Sequence, residues 1–160
     1  VERMAELCAD CEARVADIPV TAIGSTAASV VIDDLSAHPE TQVAAFTIGE
    51  QALGLPQAMK TAGITDVATV VNGPAPAQLS DLQNGDLTAA LAADWPVLVW
   101  TSIDTLARLM AGEEPTQGAK DDLVVQQMLT GDQITGDVSQ GWSGYPDFAE
   151  RFIGLWSQAQ

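Results

Sequence analysis

Three short apolar runs, each followed by a stretch long enough for a helix, constrain this chain more than any other feature. Val43-Ala44-Ala45-Phe46-Thr47-Ile48, Val67-Ala68-Thr69-Val70-Val71 and the segment 88–93 are five or six residues long and almost free of charge. Near-continuous apolar runs of that length predict strands buried on both faces. The helix-length connections predict crossovers, and so parallel strands. The predicted fold class is therefore α/β: a three-layer α-β-α sandwich with a mostly parallel sheet. Leu123-Val124-Val125 with Met128-Leu129 is a further strand candidate.

The helices are read from spacing and punctuation. Residues 2–16 form an amphipathic pattern, with Met4, Leu7, Cys8, Cys11 and Val15 on one apolar face. Ile18 to Ile23 reads as a short extended run. Ser25 or Thr26 can cap a helix over 27–37, which His38-Pro39 stops. Gly49 opens a helix to about Ala62 that Gly63 closes, and Pro56 marks a kink or a fault in it. Asn72 to Pro76 is a loop, 77–83 a helix and Asn84-Gly85-Asp86 a turn. Pro96 can start a helix over 96–111, ended by Gly112. The last thirty residues are loop-rich, with a short helix around 147–157. The aromatic residues Trp142, Tyr145, Phe148, Phe152 and Trp156 are expected to pack back across the domain.

Charge removes several function classes. Six Lys and Arg stand against 22 Asp and Glu, a net charge of −16. Sequence-independent nucleic-acid binding needs the opposite sign, as does adhesion to an anionic membrane. The adjacent pairs Asp33-Asp34 and Glu113-Glu114 read as solvated faces, because neighbours on a helix point apart. Asp121-Asp122 and the segment Asp132 to Asp137 lack the spacing of a calcium loop. His38 reads as a helix end. No G-x-x-x-x-G-K-[ST] or G-x-G-x-x-G is present, and one histidine leaves little from which to build a nucleophile–base pair. The chain is expected not to be an enzyme, and to need no cofactor or metal.

Cys8 and Cys11 are spaced C-x-x-C. With only His38 elsewhere, soft ligands are too few for structural zinc. A thioredoxin-type site needs the motif at a helix N-terminus, and here it falls inside the predicted helix. Two readings stay open, a pair of reduced core thiols or a local disulfide. A disulfide implies an oxidising compartment.

Several segments in order resemble a known family. They are Ser36 to Val43 ahead of a strand, Ala52-Leu53-Gly54, Ala58 to Gly63, Asp66-Val67, Leu82 to Ala89, and Leu109 to Glu113 at a helix end. Over residues 1–130 the chain resembles the C-terminal lobe of type I periplasmic solute-binding proteins, the ribose-binding-protein group. It also resembles the effector domains of lac-repressor-like regulators. The resemblance implies two hinged lobes that close on a small ligand, only one of which is represented here. It implies that 95–118 packs on the other lobe and that Ala93 to Pro96 and Gly118 to Asp121 are hinge crossings; residues 131–160, beyond the resemblance, read as a C-terminal tail with a short helix. The face of helix 96–111 bearing Val97, Trp100, Leu106 and Met110 is then expected to be exposed, or covered by a second copy in a homodimer.

Open parallel sheets bind ligands at the carboxyl ends of their strands. The family's polar sugar-contact positions fall at Ile48, Gly73 and Ala93, which depart from the usual pattern. Ile48 and Gly73 themselves, with Glu50, Asn72, Asp94 and Trp95 beside these positions, are the six candidate ligand-binding residues. Asn72 can donate and accept, Trp95 offers a ring face to a sugar or a cation, and Asp94 can pair with hydroxyls or an amine, or can instead cap the next helix. The implied function is the extracytoplasmic, lipid-anchored substrate-binding component of an ABC importer. Its solute would be sugar-like or polyol-like, and its partners the other lobe and a permease. The alternative is the effector domain of a transcription regulator.

Overall fold

Small and β-branched side chains crowd the three apolar runs, and each run forms a strand. The computed structural model describes residues 2–121 and 125–158. Strand β1 spans Val43–Phe46, β2 Ala68–Asn72, β3 Ala89–Ala93 and β4 Gln126–Leu129. They form one sheet in the order β1-β2-β3-β4. The first three strands are parallel, and β4 runs antiparallel along the β3 edge. Leu123 and Val124, expected in that last strand, lie outside the described residues, as does Asp122.

The register builds the core. Phe46 faces Val71, Val71 faces Ala90 and Ala90 faces Leu129, one row across the sheet. Their exposures are 8, 0, 0 and 1 %. Onto this row pack Val31 and Leu35 of helix α2 (Ala27–Ala37), Leu55 and Met59 of α3 (Leu55–Ala62), and Leu79 and Leu82 of α4 (Pro76–Gln83). Each leucine buried in this way contributes roughly 1.5–3 kcal/mol. The alternate strand residues face the other way and are less covered, with Val43 and Met128 58 and 52 % exposed. Exposure on that face is greatest at the edge strands β1 and β4, while Val70 and Leu91 of the central strands are half-buried. Strands added in one direction through right-handed crossovers place α3 and α4 on the same face. The architecture is α/β with an open, mostly parallel four-stranded sheet and flanking helices, compatible with a three-layer α-β-α sandwich.

Several boundaries differ from those the sequence predicts. Helix α1 covers only Glu2–Leu7, not 2–16. A six-residue helix has little intrinsic stability, and tertiary contacts set the path of the chain beyond it. Here Arg14 Nη2 lies 2.8 Å from Asp34 Oδ2 and donates to Thr41 Oγ1 at 2.8 Å, which ties a non-helical stretch of chain to α2 and the entry of β1. The expected apolar face does not form: Met4, Leu7 and Val15 are 48, 72 and 75 % exposed. The helix foreseen over 49–62 is broken. A 3-10 turn at Gly49–Ala52 ends before Gly54, whose φ of 72° no bulky residue adopts easily, and α3 starts beyond it with Pro56 in its first turn. Neither Ser25 nor Thr26 caps α2 through its side chain; Ser25 Oγ donates to Ala22 O instead.

Beyond β3, helix α5 covers Trp95–Met110, a short α6 Gln117–Lys120, and α7 Phe148–Gln158. Ile134 and Val138 enter the main core. Gln83 Nε2 donates to the carbonyls of Ile134 (3.4 Å) and Gly136 (3.0 Å). The C-terminal segment is thus part of the domain's packing. The aromatic tail lands on α5, where Trp100 stacks on Trp156 with centroids 5.4 Å apart and also meets Phe148 and Phe152 at 5.7 Å. Trp100, expected on an open face, is therefore partly covered by the chain's own tail, and both it and Val97 are half-buried. Leu106 and Met110 are 59 and 81 % exposed, as an open face requires.

Candidate functional site

The carboxyl ends of β1 and β2 are fixed by the side chains of Gln51 and Asn72. Past β1, Gln51 Oε1 accepts from Thr47 N (3.2 Å), Thr47 Oγ1 (3.1 Å) and Ile48 N (3.4 Å), folding the Gly49–Ala52 turn back on the strand end. Past β2, Asn72 Nδ2 donates to Thr47 O at 3.0 Å and ties the two strand ends. The backbones then touch. A Cβ on Gly49 would stand 2.8 Å from Gly73 O and 3.1 Å from Pro74 Cα, so only glycine allows this approach.

This convergence leaves a cleft of about 410 Å³ lined by Ile48, Glu50, Asn72, Gly73, Ala93, Trp95, Leu98 and Gln126. Five of the six ligand-binding candidates, Ile48, Glu50, Asn72, Gly73 and Trp95, meet in it, together with Ala93. A second cleft of about 360 Å³ adjoins it through Glu50, Gly73 and Trp95. Its far wall is Ser139, Gln140, Gly141 and Trp142 from the C-terminal segment. That wall is pinned by Asp137, whose carboxylate accepts from Ser139 N and Ser139 Oγ, both at 2.9 Å. These two bonds hold the Asp137 carboxyl below the usual carboxylate range.

The side chains in the cleft are of three kinds. Ile48 and Trp95 are apolar surfaces, 43 and 55 % exposed. Asn72 spends one of its two amide N–H groups on Thr47 O. Glu50 is exposed, and among the described residues no cation lies within ion-pair distance of it. Trp95, Asn72 and Glu50 can together meet a small solute that has both a hydrocarbon face and polar groups.

Asp94 has a different task. It is 1 % exposed. Its Oδ1 accepts from Val97 N at 3.1 Å, capping α5. Its Oδ2 accepts from Ser143 Oγ at 2.8 Å and Gly144 N at 2.9 Å. Both oxygens are occupied, and Asp94 is not among the residues lining the cleft. The helix cap, which its position also allowed, is the role the geometry gives it. Cys8 and Cys11 form a disulfide with Cα atoms 5.3 Å apart, outside the lining of both clefts.

Leu98, Gln126, Gln140 and Trp142 complete the walls, and the sequence alone does not single them out for the cleft. Leu98 had a signal in its place one turn beyond Trp95. Gln126 and Trp142 arrive through pairings with no local mark. Among the described residues, no group of three or more His, Cys, Asp or Glu side chains could hold a metal ion, and no helix is long and apolar enough to cross a membrane.

No family model matches the chain, and no curated protein matches it. A solved structure from Mycobacterium smegmatis is similar to it with a TM-score of 0.48 and 16 % identity, over 82 % of this chain and 42 % of that one. The chain thus spans less than half the length of that protein.

Proposed function

We propose that this chain is the ligand-binding lobe of an extracytoplasmic solute-binding protein that serves an ABC importer and takes a small polar solute of the sugar or polyol kind. The observation that carries the reading is the gathering of Ile48, Glu50, Asn72, Gly73, Ala93 and Trp95 in one cleft at the carboxyl ends of parallel strands. The resemblance to type I solute-binding proteins selects those same strand ends. The cleft is open on one side, as one half of a two-lobed trap would be. The second face of the sheet and the stripe Val99, Ile103, Leu106 and Met110 on α5, each at least half exposed, are surfaces for the other lobe or a second copy. In this reading the chain performs no chemistry, and a permease is its downstream partner.

An effector domain of a transcription regulator would share the fold and the cleft. The Cys8–Cys11 disulfide favours the extracytoplasmic reading, because such bonds persist where the surroundings are oxidising. The lipid anchor proposed for the parent protein belongs to that reading.

The test is an NMR titration of this chain with sugars and polyols. One lobe supplies only part of the closure contacts, so binding is expected in the millimolar range rather than the micromolar. Shift changes should be confined to the lining of the two adjoining clefts, Ile48, Glu50, Asn72, Gly73, Ala93 and Trp95 with Gln140 and Trp142. Micromolar binding by this chain alone would contradict the half-site reading. Silence at tens of millimolar would overturn the solute-binding reading.

A further inference from the structure

We infer that the solute taken by this cleft carries a protonated amine beside its hydroxyls, as an amino sugar or an amino polyol does. This rests on the solute-binding reading above and narrows its substrate class.

The argument begins with charge. The chain has six basic side chains against 22 acidic ones. All six basic groups are paired elsewhere: Arg3 with Glu6, Arg14 with Asp34, Lys60 with Asp86, Arg108 with Asp104 and Glu113, Lys120 with Glu114, and Arg151 with Asp147. None of them lines either cleft. Glu50 stands at the junction of the two clefts without a counter-charge, in a molecule of net charge −16. An anionic solute would meet only repulsion there. A cationic one is drawn in by the whole field and then by Glu50.

The walls agree with the charge. Trp95 and Trp142 line the cleft that Glu50 shares with the C-terminal segment. Indole faces attract cations by about 0.5–1 kcal/mol at exposed sites, and they also accept the C–H faces of a sugar ring. Asn72 in one cleft and Gln140 in the other offer amides to hydroxyls. A bare divalent metal ion does not suit the place, since it needs about six oxygen ligands and Glu50 is the one carboxylate in the lining.

The experiment compares matched pairs on this chain by NMR titration: glucosamine with glucose, galactosamine with galactose, and 1-amino-1-deoxysorbitol with sorbitol. The amine of each pair is expected to bind about fivefold more tightly, the size of one exposed ion pair reinforced by an indole face. Glu50→Gln should bring each amine down to its neutral partner's affinity. Raising the pH until the ligand amine loses its proton should do the same to the unmodified chain. Equal affinity within every pair, or a preference for the amine that survives Glu50→Gln, would overturn this inference and leave the solute-binding reading standing. No binding by any of the six compounds would overturn both.

Discussion

Asp94 is the residue on which the most structure depends. Its two buried oxygens receive three donors, one from the first turn of α5 and two from a loop 49 and 50 residues further along the chain. Removing the carboxylate leaves all three donors short of partners in a place water barely reaches. Asp94→Ala is therefore expected to lower the unfolding free energy by about 3 kcal/mol, and Asp94→Asn by less, since an amide oxygen can still cap the helix. Urea denaturation of the two variants measures this, and a change of a few tenths in Asp94→Ala would refute the staple. Gly49 is the second sensitive position. Its substitution by alanine forces a Cβ to 2.8 Å from Gly73 O, which must be relieved by moving the two turns apart. Gly49→Ala should cost about 1–3 kcal/mol and should also disturb the amide shifts of Asn72 and Gly73 more than those of the core. At this scale the site was partly legible. Ile48, Glu50, Asn72, Gly73 and Trp95 were locatable because each lies beside a strand end. The true task of Asp94 was only half visible, because its cap lies three residues away but Ser143 and Gly144 carry no local sign of their target.

At the scale of elements, the pairing of α5 with α7 has a measurable pH signature. Asp104 is 3 % exposed. Burial opposes its charge, but hydrogen bonds from Arg108 Nε (2.8 Å) and Trp156 Nε1 (2.9 Å), with the guanidinium charge, outweigh this and hold its carboxyl below the ordinary range. A depressed carboxyl stabilises the fold fully above its unfolded value, about 3.9, and that contribution is lost as the pH falls through the folded value. Acid titration should therefore weaken the α5–α7 contact only below the ordinary carboxylate range, after unperturbed carboxylates have taken up their protons, seen in near-ultraviolet circular dichroism of the stacked Trp100–Trp156 pair. Asp104→Asn should be less stable at neutral pH and flatter between about pH 5 and pH 2. An unchanged acid profile would show that the contact does not depend on that charge. The elements were legible in proportion to how local their causes are. Strands β1 to β3 and helix α2 follow from composition and from Pro39. Helix α1 was overdrawn because its apolar spacing had no surface to pack against, whereas Arg14 had Asp34 and Thr41. Met128-Leu129 marked the edge strand and the aromatic tail was expected to pack back, but the antiparallel pairing with β3 and the landing on Trp100 are long-range events that no local pattern announces.

At the scale of the whole molecule, two features pull in opposite directions. The net charge of −16 keeps copies of the chain apart. Yet Val99, Ile103, Leu106 and Met110 form an apolar stripe on α5, 54, 50, 59 and 81 % exposed. The sole charged residues of that helix are Asp104 and Arg108, paired at 2.8 Å. Charge repulsion acts over the screening length, which shrinks from about 30 Å at 0.01 M salt to about 3 Å at 1 M, whereas apolar burial survives salt. Self-association should therefore rise with ionic strength. Sedimentation velocity across that range should show monomer at low salt and a growing dimer fraction at high salt. The double variant Leu106→Glu with Met110→Glu should stay monomeric throughout, while its circular dichroism remains that of the parent, since both side chains already face solvent. Association strongest at low salt would assign the contact to ion pairs and remove α5 from it. Association that persists in the double variant would move the contact to the half-covered face of the sheet, where Val43 and Met128 are the next positions to change.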